Sequence, residues 1–276
     1  MKVLFNIGGF SIYMFGFFIA LGMLAGYLVA MKEAKRRNYN VDTLVNFILY
    51  AIISGVLGAR LYYVLVFNLD YYINNPIKIL AFRDGGLSIQ GALIAGIITT
   101  VVYAKVKKIN IWKIADIVAP GIILGQGIGR IGCDVFGIEM IKEYFWGINL
   151  NGVLLHPAQI YEAVLNFILF GILWSRRKSI RYDGQLFFTY LIGFSINRFI
   201  VEFFRVNPIV IGPLTVAHVT SIVIIIISLI IMTKLKRKSL SQDKEINKNY
   251  SLNAREIIAI ISLIIVSILS YYWIWI

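Results

Sequence analysis

The sequence predicts an all-α, polytopic membrane helix bundle with seven core spans and an eighth span at the C-terminal end. Three observations predict it. Hydrophobic residues make up 59% of the 276 residues and charged residues only 15%, far from a soluble average. The apolar residues gather into eight runs, each close to the roughly 20 residues a helix needs to cross the hydrocarbon layer. The loops between these runs are alternately rich and poor in lysine and arginine, which is the positive-inside pattern.

The first run, 11–31, follows a segment with a single lysine. No small-residue cleavage site comes after it, so it is expected to remain as a helix. It leads into the basic loop KEAKRRN. The second run, 45–67, carries Arg60 towards its far end, and the third, 87–105, begins at RDGGLSIQ and closes on KVKK. The fourth, 114–133, places Gly121, Gly125 and Gly129 four apart, a small-residue stripe that lets a neighbouring helix approach closely. It ends in GQGIGRIGCD. The fifth, 157–174, opens on HPAQIYE, with Pro157 suited to a first helical position, and closes on SRRKSIR. The sixth, 185–204, ends NRFIVEFFR, and the seventh, 214–233, ends KLKRK. The polar stretch SLSQDKEINKNYSLN precedes the eighth, 256–276, whose Tyr271, Tyr272, Trp273 and Trp275 suit an aromatic belt at the outer interface. The expected organisation is a seven-span domain over 1–234, a polar cytoplasmic linker over 235–254 and an additional helix over 255–276. The basic loops belong in the cytoplasm and the N-terminus outside.

The net charge of +13 sits in these loops, so it argues for membrane orientation and against nucleic-acid binding. One cysteine excludes an internal disulfide, and two histidines speak against a dedicated metal site. No cofactor is indicated.

Placed on this topology, the polar residues gather in the outer half. They are Arg60, Asp84, Gln90, Gln126, Arg130, Cys133, Asp134, His156, Gln159, Tyr161, Glu162, Asn197, Arg198, Glu202 and Arg205. On the cytoplasmic side Asp116 stands nearly alone. An arginine within a span costs roughly 2.5–3.5 kcal/mol on the gentlest scale, so it must face a partner or a wet cavity. Arg198 and Glu202 lie four apart on one helical face and can pair, with Arg205 one turn further out. Arg130 then needs a counter-charge from Asp84, Asp134, Glu139 or Glu162, or from an anionic ligand such as a lipid phosphate, whose oxygens match the guanidinium fork. A structural ion network and a phosphate site both satisfy these residues. Gly85 and Gly86 form either a helix start that meets an anion or a tight turn. His156 caps the fifth span or acts in a site, and His218, Trp146 and Lys142 are placed at the interface. Tyr62, Tyr63, Tyr71 and Tyr72 are placed in the belt, and Cys133 is an inert small residue or a nucleophile.

FGFFIALGMLAGYL, GARLYYV, DGGLSIQGALIAG, GQGIGRIG, HPAQIYE and RFIVEFFR resemble, in this order, segments of the prolipoprotein diacylglyceryl transferases of bacterial inner membranes. The resemblance implies a seven-span monomer in the bacterial cytoplasmic membrane, with its site open to the outer leaflet. It implies phosphatidylglycerol and a prolipoprotein lipobox cysteine as substrates, with release of glycerol phosphate. By position, Arg130 matches the arginine that binds the lipid headgroup, Arg198 a second essential arginine, and Glu202 its partner. These three and His156 are the expected catalytic set, with Arg60 joining Arg130 and Arg198 on the phosphate. Asp84, Gln90, Cys133, Tyr161 and Arg205 are expected to support them. Gln90 stands where the family usually has histidine, Cys133 where it has asparagine, and Phe15 and Phe194 where many members have tyrosine. Glutamine cannot titrate, so the base that takes the thiol proton falls to His156, Asp134 or Glu139. Two rival readings are a non-catalytic relative that binds an anionic phospholipid, and a small-solute transporter. The absence of broken spans and midplane polar residues counts against the transporter.

Overall fold

Every apolar run forms a helix. The computed structural model describes residues 2–8, 10–82, 85–239 and 252–275. Among them are eight long helices: α1 (Met14–Arg36), α2 (Val41–Phe67), α4 (Ile89–Lys107), α5 (Ile111–Ile131), α6 (Ala158–Arg176), α7 (Gln185–Glu202), α8 (Val216–Ser239) and α9 (Ala254–Trp275), with a short α3 (Leu69–Asn74) after α2. Seven of the eight are long and apolar enough to cross a membrane; α7 is the exception. Its sequence carries Asn197, Arg198 and Glu202 on an inward face, where other groups satisfy them. Lipid solvates no backbone polar group, so a helix, which bonds within itself, is the form an isolated apolar run must take.

Three short antiparallel hairpins were not anticipated. They pair β1 (Val3–Ile7) with β2 (Phe10–Tyr13), β3 (Ile148–Leu150) with β4 (Val153–Leu155), and β5 (Ile209–Ile211) with β6 (Leu214–Thr215). The second turns on Asn151 and Gly152, both at positive φ, the pair that a two-residue hairpin turn favours. That signal was present in the sequence.

The chain divides into two compact units, Met31–Ile114 and Met1–Ala30 with Ala115–Ile276. In the first, α2 begins at Asn40, whose side chain accepts from the Thr43 amide at 2.7 Å, a normal N-cap. α2 and α4 cross where Gly58 meets Gly91: a Cβ on Gly58 would lie 2.7 Å from the Gly91 carbonyl. Arg60 is 2% exposed. It donates to the carbonyls of Ile79 at 2.9 Å, Gly85 at 2.6 Å, Gly86 at 3.1 Å, Lys78 at 2.6 Å and Ala81 at 3.2 Å. Its guanidinium also lies over the Tyr72 ring, 5.2 Å from the centroid. Tyr72 is therefore buried and not part of a belt. Gly85 and Gly86 sit at φ +83° and +72°, a turn that aims both carbonyls at Arg60, three residues ahead of α4; they do not start the helix.

In the larger unit, α5 and α6 are central. Of their apolar stretches 56% and 61% are buried, against 17% for α8 and α9. Two glycines of the predicted stripe face two glycines of α1: a Cβ on Gly22 would lie 2.5 Å from the Gly125 carbonyl, and one on Gly26 2.7 Å from that of Gly121. Gly129 takes no part, since its nearest neighbour is a side-chain atom of Ile19 at 3.8 Å. Asp116 is fully buried and accepts from the amides of Gly184 at 2.8 Å and Phe187 at 2.9 Å, where α7 begins. A carboxylate there answers free N–H groups and the positive end of the helix dipole.

α8 continues to Ser239, five residues beyond the expected end of the seven-span domain, and α9 starts at Ala254. Most of the expected linker, 240–251, lies outside the described residues, as does Asp84.

Candidate active site

The site lies in the larger unit, where α5 ends, α6 begins and α7 ends. Backbone hydrogen bonds tie these three places together. The Gly137 amide donates to the His156 carbonyl at 2.9 Å, the His156 amide to Ile138 at 3.0 Å, and the Ile138 amide to Phe204 at 2.9 Å. Gly137 permits this approach, since a Cβ there would lie 2.8 Å from the His156 carbonyl, and Gly132 lets the start of α1 close in, where a Cβ would lie 2.7 Å from the Met14 carbonyl.

The side chains so placed form one ion cluster. Glu162 is its centre, with 2% of its side chain exposed and Oε1 2.9 Å from the Arg130 guanidinium. Its Oε2 lies 3.8 Å from Arg198 and 3.7 Å from Arg205. Arg198 also pairs with Glu202 at 2.9 Å, as their i, i+4 spacing predicts. Glu202 Oε1 accepts from Thr215 Oγ1 at 2.6 Å and Asn207 Nδ2 at 2.8 Å. In the described contacts, three guanidiniums thus meet two carboxylates, an excess of positive charge. The carboxylates lie beneath, while the arginines retain 29%, 23% and 12% exposure for Arg130, Arg198 and Arg205. Burial, with the like charges of Arg198 and Arg130, holds the Arg205 pKa below the usual arginine value despite Glu162 and Glu202. Arg205 follows α7 and is not a further helical turn, as the sequence suggested.

A second group adjoins the first. Tyr161, next to Glu162, shares its hydroxyl with Trp146 Nε1 at 3.0 Å and His156 Nδ1 at 3.2 Å. The His156 ring packs on Phe204, the neighbour of Arg205, with centroids 5.1 Å apart. Burial lowers the His156 pKa from 6.5, which favours the neutral imidazole, the form that can accept a proton. His156 does not cap α6; its side chain faces Tyr161. Trp146 is no free interfacial ring but the partner of that hydroxyl. Cys133 is buried, with Sγ 3.8 Å from an Arg130 nitrogen.

Several sequence expectations are revised. Arg60 donates to the backbone carbonyls of Lys78, Ile79, Ala81, Gly85 and Gly86 within its own unit, so its described hydrogen-bond partners are carbonyls. Gln90, also in that unit, accepts from Ser88 Oγ at 2.6 Å. Glu139 is exposed. His218 is not interfacial: it is 1% exposed, lies between Phe199 and Phe203, and its Nδ1 faces the Thr215 amide at 3.2 Å. Sequence reasoning placed Gln159 and Glu162 among the outer-half polar residues, with Glu162 one of four counter-charges, and it missed Asn166 as their companion. Gln159, Glu162 and Asn166 are all buried and fall at i, i+3 and i+7 on α6. That polar stripe at helical period was a legible signal.

Fold and site together define a multi-pass membrane protein with a cationic site at one end of its central helices. The family is settled by comparison. The model of the prolipoprotein diacylglyceryl transferase family matches residues 2–234. A phosphatidylglycerol–prolipoprotein diacylglyceryl transferase of Bacillus cytotoxicus is 40% identical over 257 residues, covering 88% of this chain and 94% of its own. Proteins of the same name from Bacillus cereus and Bacillus anthracis are each 38% identical over 262 residues, covering 90% of this chain and 96% of theirs. The chain belongs to the prolipoprotein diacylglyceryl transferase family and is a membrane-embedded transferase.

Proposed function

We propose that this protein moves the diacylglyceryl group of phosphatidylglycerol to the thiol of a lipobox cysteine in a prolipoprotein signal peptide. The single observation that carries this is the cationic cluster. Three partly exposed guanidiniums converge over one buried carboxylate, an excess of donors and positive charge suited to a phosphodiester. Arg130 and Arg198 bind the headgroup phosphate, and Arg205 adds to the field. The acceptor sulfur forms a bond to the glycerol carbon that carries the phosphate. The C–O bond at that carbon breaks, and glycerol phosphate leaves with the electron pair. Charge builds on the departing phosphate, so preorganised guanidiniums lower the barrier there. Glu162 and Glu202 fix the forks and keep them from binding product too tightly. The thiol proton needs an acceptor, since a free thiol has a pKa of about 8.5. His156, neutral and oriented by Tyr161, is that base, and Gln90 is not. The basic loops place the N-terminus outside and the arginine cluster in the outer leaflet, where phosphatidylglycerol and the exported signal peptide meet.

The test uses purified protein in phosphatidylglycerol vesicles with a lipobox-cysteine peptide, beside Arg130→Ala and Gln90→His. Lipid-modified peptide and glycerol phosphate, lost in Arg130→Ala, are expected. Product only from Gln90→His would mean that the lipid site persists without this chemistry.

A further inference from the structure

We propose that α9 is a working part of the transfer site, and that Tyr271 and Trp275 are positioning residues for Arg130. The proposal rests on the transferase reading above. The helix lies beyond residues 2–234, the stretch the family model matches. Its sequence reads as a plain membrane anchor with an aromatic rim, and only Trp273, 82% exposed, behaves that way. The other three aromatic residues turn inward.

Arg130 sits in the last turn of α5, where carbonyls have no donors from within the helix. α9 supplies what is missing. Trp275 Nε1 donates to the Ile131 carbonyl at 3.3 Å, and its ring packs edge-on against Phe136, centroids 5.3 Å apart. The Tyr271 hydroxyl donates to Gln159 Oε1 at 3.1 Å, and Gln159 Nε2 donates to the Cys133 carbonyl at 3.3 Å. Tyr271 and Gln159 are both fully buried. The Cys133 carbonyl, an acceptor only, sets which way the Gln159 amide points, and the Tyr271 hydroxyl satisfies the amide oxygen and so holds this side chain against the segment just past Arg130. Gln159 is also one turn ahead of Glu162, the carboxylate that pairs with Arg130. A second line runs from the Tyr272 hydroxyl to the Trp146 carbonyl at 2.6 Å, and Trp146 Nε1 in turn holds Tyr161.

The far end of α9 is anchored too. Glu256 Oε1 accepts from Trp174 Nε1 at 2.9 Å and lies 3.0 Å from Arg177. At the near end, Lys2 donates to the Ile274 carbonyl. A lipid anchor needs none of these bonds. Together they set the rotation and depth of α9 so that its last turn closes the end of α5.

The experiment uses the full chain in phosphatidylglycerol nanodiscs, with Tyr271→Phe, Trp275→Phe and, as control, Trp273→Phe. Two rates are measured: lipid transfer to a lipobox peptide, and maleimide labelling of Cys133, the only cysteine. When the native chain turns over, kcat decides. Both inward variants are expected to lose about threefold to tenfold in kcat, the worth of one hydrogen bond, with the KM for peptide unchanged and Trp273→Phe unaffected. A purely structural role would lower the amount of active protein and leave kcat per active molecule as it was. Unchanged kcat in both variants overturns the proposal. A native chain without turnover would defeat the transferase reading separately, and labelling would then decide. Cys133 is expected to label at least about threefold faster in the two inward variants, and equal rates would overturn the role of α9.

Discussion

Replacing Glu162 with glutamine removes the carboxylate that three arginines share while keeping its shape. In the native chain its oxygens lie 2.9 Å from Arg130, 3.8 Å from Arg198 and 3.7 Å from Arg205, with 2% of the side chain exposed. Removing one partner of a buried pair costs about 3–5 kcal/mol. The arginines keep up to 29% exposure, so water recovers part of that, and about 2–3 kcal/mol is expected to remain. For a chain of this size each kcal/mol moves the midpoint by about 2–4 °C, so thermal unfolding in detergent should fall by about 5–10 °C. Vesicle assays should show a split. The site gains net positive charge, so KM for phosphatidylglycerol stays level or falls, while kcat drops because the forks lose their common anchor. Adding Arg205→Gln should restore part of the lost stability, since it removes one of the stranded charges. The reasoning would be refuted by a midpoint within about 2 °C of native together with unchanged kcat.

Other consequences follow from the same geometry. Arg130→Ala should lower transfer by about a hundredfold or more, as expected for loss of an electrostatic donor to the leaving group, and Arg130→Lys should recover only a fraction because an ammonium offers no planar fork. Transfer rates of the two variants beside the native chain at neutral pH check both. Because burial lowers the His156 pKa from 6.5, activity should hold at neutral pH and fall on acidification through a pKa below that value. His156→Gln should lower the neutral-pH rate and flatten the profile. The same depressed pKa has a stability sign: the contribution of neutral His156 is complete above the unfolded value and is lost as pH falls through the folded one, which melting curves at several pH values would detect. Gly22→Ala should cost about 1–3 kcal/mol of stability, since its methyl would lie 2.5 Å from the backbone carbonyl of Gly125. Gly16→Ala, with nothing within 4 Å, is the neutral control, and both are read by thermal unfolding.

Much of the site was legible because its residues signal locally. Arg198 and Glu202 pair at the spacing their helix imposes, and the arginine of GQGIGRIG had to find a partner whatever the fold. Which partner it found was not legible. Four acids were within reach by depth, and only the rotation of α6 brings Glu162 under all three arginines while Glu139 stays exposed. Arg60 shows the reverse. An arginine near a helix end looks the same whether it faces a phosphate or five carbonyls, because the difference lies in where the next loop folds back.

The sequence by itself determined the helices, their number and the alternation of their loops. Those properties follow from the cost of an unpaired backbone in lipid and from charge counted along the chain, neither of which needs a neighbour. The three-dimensional structure alone decided the contents of the candidate site: the glutamate beneath the arginines, the histidine beside Tyr161, the buried place of His218, and the inward turn of Tyr271, Tyr272 and Trp275. An aromatic residue at the end of an apolar run fits an interfacial belt or a buried hydrogen bond equally well. Only the rotation of α9 against α6 distinguishes them, and packing at a distance in sequence sets that rotation.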